Sequence, residues 1–174
     1  VGLGIAEHLK KKYGTPYLHF PYLPVGGLET SRFLRQVAEF GKLDKKRAED
    51  FIGREERKFY SFLERMADFL LEFRYGLPRR FYTILDASYA VGFAKYLVNE
   101  LGILPARQFV VDITRALILG SGWDRDLAKD LNADLLILSV PVEYRLVLNC
   151  GYAGYNGGLR VIEDLYDRVL GTYR

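Results

Sequence analysis

Apolar residues recur every three or four positions over long parts of this chain, and between those stretches lie short apolar runs bounded by Gly and Pro. Ile5, Ala6, Leu9 and Tyr13 predict a helix from Gly4 to Tyr13, closed by Gly14, and Pro16 to Phe20 then reads as a short strand or extended segment. Pro21, Pro24, Gly26 and Gly27 read as a loop, after which Glu29-Thr30-Ser31 is expected to open a helix with Phe33, Leu34, Val37 and Phe40 on one face and Gly41 at its end. From Asp44 to about Arg74 the spacing continues through Ile52, Phe59, Phe62, Met66 and Phe73. It predicts one long helix, about 45 Å at the usual rise, with Gly53 as its weak point. Its aromatic stripe reads as packing surface rather than a cofactor site.

Gly76 and Pro78 end that pattern, and the spacing then alternates between strand and helix. Phe81 to Asp86 is expected as a strand, Tyr89 to Leu101 as a helix closed by Gly102, and Arg107 to Asp112 as a second strand. This β-α-β unit puts Asp86 and Asp112 at carboxyl ends of parallel strands, where open sheets bind ligands and where acids also cap helices. Ala116 to Gly120 is a further strand, Asp124 to Leu131 a short helix, and Asp134 to Val140 an apolar run suited to a strand buried on both faces. A loop from Pro141 to Gly157 leads to a last helix, Gly158 to Leu170. The fold class is therefore α/β, a doubly wound, mostly parallel, Rossmann-like sheet with a long helix linking two α/β units. Residues 1–75 form a partial unit plus the linking helix, and residues 76–174 the Rossmann-like domain.

One spacing conflicts with that plan. Only Ile113, Thr114 and Arg115 separate two expected strands, whereas a parallel crossover takes about 10 to 12 residues. A segment is expected to be missing near 113–116, unless the run is one strand.

Composition narrows the class. With 49% hydrophobic and 27% charged residues, the 174-residue chain is suited to a globular core. Its 25 basic and 22 acidic residues are spread too evenly to point to nucleic acid. No apolar run is long enough for a membrane span. Cys150 stands alone, so neither an internal disulfide nor an all-cysteine metal cage is expected, and the reading is cytoplasmic. The start Val1-Gly2-Leu3-Gly4 carries no initiator Met or charged leader, and the chain is expected to be cut from a longer polypeptide.

The chemistry-bearing stretches are few. Gly120-Ser121-Gly122 follows a strand and precedes a helix, a setting that holds anions, but it lacks the third glycine of a dinucleotide fingerprint. A tight turn capped by Asp124 is the preferred reading. His8 and His19 are the only histidines and lie on separate elements, so a metal or triad site is not expected. The glycine-rich run from Cys150 to Gly158 implies a backbone closely approached by another chain, a ligand or the neighbouring sheet. Asn156 is placed to cap the final helix.

Tyr13-Gly14-Thr15-Pro16-Tyr17, Pro24-Val25-Gly26 and Thr30-Ser31-Arg32-Phe33-Leu34 form a first motif group, and the Asp86 to Gly102 unit a second. Leu119-Gly120-Ser121 with Leu127-Ala128 is the third, and Ser139 to Val142 with Arg145 and Gly151 to Gly158 the fourth. In this order and spacing they resemble the nitrogenase component 1 family, which includes molybdenum-iron protein subunits, cofactor-assembly scaffolds and tetrapyrrole reductases. The resemblance implies several doubly wound domains, of which this chain would supply the middle and last, and a further strand and helices where the short connection at Ile113 to Arg115 stands. Family members of the catalytic type carry a cofactor-ligating histidine before the Gly-Tyr-x-Gly stretch. Here Tyr144 lies roughly there, no histidine occurs, and Cys150 matches no cluster-ligand position. That favours a β-type or scaffold-like member.

By resemblance, the intact parent would be an oxidoreductase subunit framing an iron-sulfur or other metal cluster or a tetrapyrrole, as in nitrogen fixation or metallocluster assembly. It would pair with a homologous component 1 subunit and take electrons from an iron-sulfur ATPase reductase. The alternative is a non-catalytic cofactor-assembly scaffold or binding module. This stretch alone is expected to hold no cofactor and no metal, and its cleft candidates are Asp86, Ser88, Ser121, Tyr144 and Tyr152.

Overall fold

The computed structural model describes residues 2–66, 80–106, 116–142 and 151–171. Four strands are present there: β1 (Arg80–Thr83), β2 (Leu104–Pro105), β3 (Leu117–Gly120) and β4 (Asp134–Ile137). All pair in parallel, in the order β2-β1-β3-β4. Six α-helices accompany them: α1 (Gly2–Tyr13), α2 (Gly26–Phe40), α3 (Lys45–Arg65), α4 (Ala87–Asn99), α5 (Arg125–Asp130) and α6 (Gly154–Gly171). This is the Rossmann-like α/β class the periodicity predicts.

The apolar runs explain the register. Leu117, Ile118 and Leu119 sit in the middle of the sheet between β1 and β4, and every residue of β3 is buried. The expectation of a strand buried on both faces falls on β3 rather than on β4. Asp134 and Leu135 of β4 stay partly exposed, because β4 is an edge strand among the described residues. One core joins β3 to Phe59 of α3, to Phe93, Tyr96 and Leu97 of α4, and to Val161, Ile162 and Leu165 of α6. Burying each such side chain contributes about 1.5–3 kcal/mol.

Several boundaries differ from the expected ones. Helix α2 starts at Gly26 rather than at Glu29, and α6 at Gly154 rather than Gly158. Asn156 therefore lies inside α6, exposed, and caps nothing. Residues 16–20 form no paired strand: Pro16, Pro21 and Pro24 remove ladder donors around them, and Phe20 instead packs edge-on against Tyr22 and Phe33. Strand β2 is short and lies at Leu104–Pro105, while the expected strand Arg107 to Asp112 falls outside the described residues. The same holds for the suspected break near 113–116, for the continuation of α3 toward Arg74 and for the proposed division at 75/76. Gly53 interrupts nothing, since α3 runs through it.

Helix α1 ends at Gly14, whose φ of +71° is the left-handed stop expected of it. No residue of α1 is buried, and Ile5 and Tyr13 are 61% and 65% exposed.

Candidate functional site

The chain leaves β1 through α4 and pairs again as β2 on one side, whereas β3 lies on the other side of β1. The strand order thus reverses between β1 and β3. At such a point the loops leaving the carboxyl ends diverge, and open α/β sheets hold ligands in the crevice between them. Ile84 N–H donates to Leu119 O at 2.8 Å, which carries the β1–β3 pairing to the rim of that crevice.

Asp86 and Ser88 stand at the β1 side. Asp86 occupies the N-cap position of α4, is exposed, and makes no side-chain cap bond. Ser88 is exposed in the first turn, and its carbonyl accepts Leu23 N–H at 3.1 Å, which ties the loop before α2 to this rim. Gly92, one turn further on, leaves room for that loop, because a Cβ there would overlap the Leu23 carbonyl.

Ser121 stands at the β3 side but is buried. Its hydroxyl donates to Asp124 Oδ2 at 2.9 Å, and its backbone N–H to the same oxygen at 2.7 Å. This is the tight turn capped by Asp124. The turn continues as a 3₁₀ helix, Gly122–Asp124, and Gly122 N–H donates to Pro141 O at 2.8 Å, joining the loops after β3 and β4.

Tyr152 is half-buried against Phe93, with its hydroxyl donating to Asp164 Oδ2 at 2.6 Å. Tyr144 and Asp112 lie outside the described residues, as does Cys150. The structure therefore places Asp86, Ser88 and Ser121 at adjacent strand ends, with Ser121 engaged inward. Among the described residues no group of three His, Cys, Asp or Glu is placed to hold a metal ion. His8 and His19 are both exposed and on separate segments. The described donors do not fit a four-ligand site. No described helix is long and apolar enough to cross a membrane.

A second locus escaped the sequence reading. Val25, the N-cap of α2, offers no side-chain acceptor, and the carboxylate of Glu100 fills that role. It accepts Gly27 N–H at 2.9 Å and Leu28 N–H at 3.3 Å, and Tyr60 Oη donates to it at 3.4 Å. Burial raises the Glu100 pKa, against the pull of those three donors. The glycine-rich stretch packs into the same knot. Gly154 N–H donates to Pro24 O at 2.8 Å, Tyr96 Oη donates to Gly158 O at 2.8 Å, and Gly158 faces Gly26 so closely that a Cβ would lie 2.7 Å from the Gly26 Cα. The start of α2 approaches that backbone at Gly158, and the Tyr152 backbone approaches it at Gly157.

A profile of the "nitrogenase component 1 type oxidoreductase" family matches residues 2–110, more than half of the chain and all of the knot's α2 side. The chain belongs to that family. A light-independent protochlorophyllide reductase chain of Angiopteris evecta is similar to it, 26% identical over 112 residues. That stretch covers 59% of this chain and 20% of the relative, so the chain spans about a fifth of the curated protein it matches. No solved structure matches the chain.

Proposed function

We propose that this component 1 type chain is the ligand-cradling framework of an oxidoreductase subunit, and that the crevice between β1 and β3 holds a tetrapyrrole in the intact parent. The observation that carries the reading is the reversal of strand order at that crevice, with Asp86 and Ser88 exposed on its rim. The name of the Angiopteris evecta relative supports a tetrapyrrole over nitrogen fixation or metallocluster assembly. In the parent, electrons would come from an iron-sulfur ATPase reductase, and a homologous component 1 subunit would close the assembly, both in the cytoplasm.

Titration of the chain with protochlorophyllide, followed by visible absorption, tests this. Micromolar binding that is lost in Ser88→Trp, which fills the crevice mouth from an exposed position, is the expected result. Undetectable binding, or binding indifferent to Ser88→Trp, overturns it. Iron content and turnover of the anaerobically purified parent separate the catalytic role from the alternative of a non-catalytic scaffold, which would hold the pigment without reducing it.

A further inference from the structure

The two most exposed large hydrophobic side chains among the described residues lie at the same end of the sheet, where a third, Ile84, is exposed to a lesser degree. Trp123 is 80% exposed and Val140 83%, on the adjoining loops after β3 and β4, and Ile84 is 38% exposed on the loop after β1. These loops share one rim because all the strands run in parallel. The indole is also held on a fixed base. Ser121 and Asp124 lock the turn that bears it, and the bond from Gly122 N–H to Pro141 O fastens that turn to the loop carrying Val140.

A large aromatic ring left in water on a well-bonded turn gains nothing for the fold. Sites for small apolar ligands combine such surfaces with a few polar groups that set orientation. Here Asp86 and Ser88 supply the polar groups and Ile84, Trp123 and Val140 the apolar ones. Described acids and bases near the indole are mixed in sign, with Asp126 and Lys129 paired to each other, so charge does not select the ligand.

We infer that Trp123 is the stacking platform of the strand-end site, with Val140 beside it, and that the ligand it selects is a flat, conjugated, largely apolar ring system. The inference rests on the proposed function and adds the contact that recognises the ring. A face-to-face or offset contact with an indole discriminates a flat ring from a saturated molecule of equal area.

Trp123 is the chain's single tryptophan, so its emission reports only on this position. The chain is titrated with protochlorophyllide as wild type, Trp123→Ala, Trp123→Phe and Leu9→Ala, the last on the exposed face of α1. Far-UV circular dichroism checks each fold. Expected are quenching of Trp123 on binding, about tenfold weaker affinity in Trp123→Ala, a loss of about threefold or less in Trp123→Phe, and no change in Leu9→Ala. Equal affinity of Trp123→Ala and wild type, with Ser88→Trp still blocking, overturns the platform and leaves the crevice reading standing. Equal losses in Trp123→Ala and Leu9→Ala mean adhesion to any apolar surface and overturn it too. Wild type that does not bind overturns both readings.

Discussion

The carboxylate of Glu100 accepts the backbone N–H of Gly27 at 2.9 Å, although the two residues are 73 positions apart. A helix start leaves four N–H groups without intrahelical partners, and a Ser, Thr, Asp or Asn at the N-cap normally satisfies one. Val25 cannot. The C-terminal end of α4 therefore caps the N-terminal end of α2, and the cap doubles as a tertiary lock.

Removing that acceptor should destabilise the chain. Glu100→Ala strands the N–H groups of Gly27 and Leu28 and is expected to cost about 2 kcal/mol by urea unfolding. Glu100→Gln keeps an acceptor oxygen and should lie within about 1 kcal/mol of wild type at neutral pH.

The same pair of proteins gives a pH test with a definite sign. Burial raises the Glu100 pKa above its ordinary value of 4.5, so the folded state binds this proton more tightly than the unfolded state does. Wild type should therefore gain stability relative to Glu100→Gln as pH falls from neutrality through the raised pKa, and the gain should level off below pH 4.5. A difference that runs the other way would mean that the three donors outweigh burial.

Gly158→Ala tests the knot from its other side. The new Cβ would lie 2.7 Å from the Gly26 Cα and 3.1 Å from the Phe59 ring, and the nearer neighbour is backbone that has no rotamer to change. A net loss of about 2 kcal/mol is expected even though Ala is the better helix former, and Gly151→Ala, which meets nothing, should be neutral. Thermal unfolding of the two variants measures the contrast.

These results bear on what the sequence discloses. Periodicity located β1, β3, β4, α3 and α4, because their apolar spacing is set by burial along one element. It misplaced the starts of α2 and α6, where Gly26, Gly27, Gly157 and Gly158 look like loop residues. Glycine is needed there because other groups come too close for a side chain: Tyr96 at Gly26, Tyr60 at Gly27, the Tyr152 backbone at Gly157 and the Gly26 backbone at Gly158, contacts that are mostly remote in the chain. The site shows the same division. The positions of Asp86 and Ser88 just beyond a strand are legible in the sequence, whereas Ser121 reads alike whether it faces outward or Asp124, and only three-dimensional placement resolves it. Trp123 had one available signal, an aromatic in a Gly-Ser-Gly-Trp turn at a strand end, but nothing local reveals its exposure.

Glu29 and Lys95 offer a second charge test. Glu29 is 5% exposed, and it accepts a hydrogen bond from Tyr22 Oη at 2.6 Å and pairs with Lys95 at 3.2 Å. The hydrogen bond to Glu29 raises the Lys95 pKa above 10.5. A raised base stabilises the fold fully below its unfolded pKa and loses that contribution as pH rises through the folded one. Lys95→Met should cost about 1 kcal/mol at pH 7, a modest figure because the lysine is a third exposed, and the gap should narrow in alkaline unfolding above pH 10.5.

Asp124 carries the last prediction. Its Oδ2 receives both the N–H and the hydroxyl of Ser121, and Gly120 packs against the same carboxylate. Asp124→Ala should lose about 1–2 kcal/mol of stability, as cap removal usually does. Asp124→Asn keeps one acceptor oxygen and should lose less. The turn also sets the direction of Trp123, so losing the cap should free the indole before the domain unfolds. The steady-state fluorescence anisotropy of the single tryptophan should then fall in Asp124→Ala at temperatures where far-UV circular dichroism is unchanged. Anisotropy equal to wild type would show that the bond between Gly122 and Pro141 suffices to hold the turn.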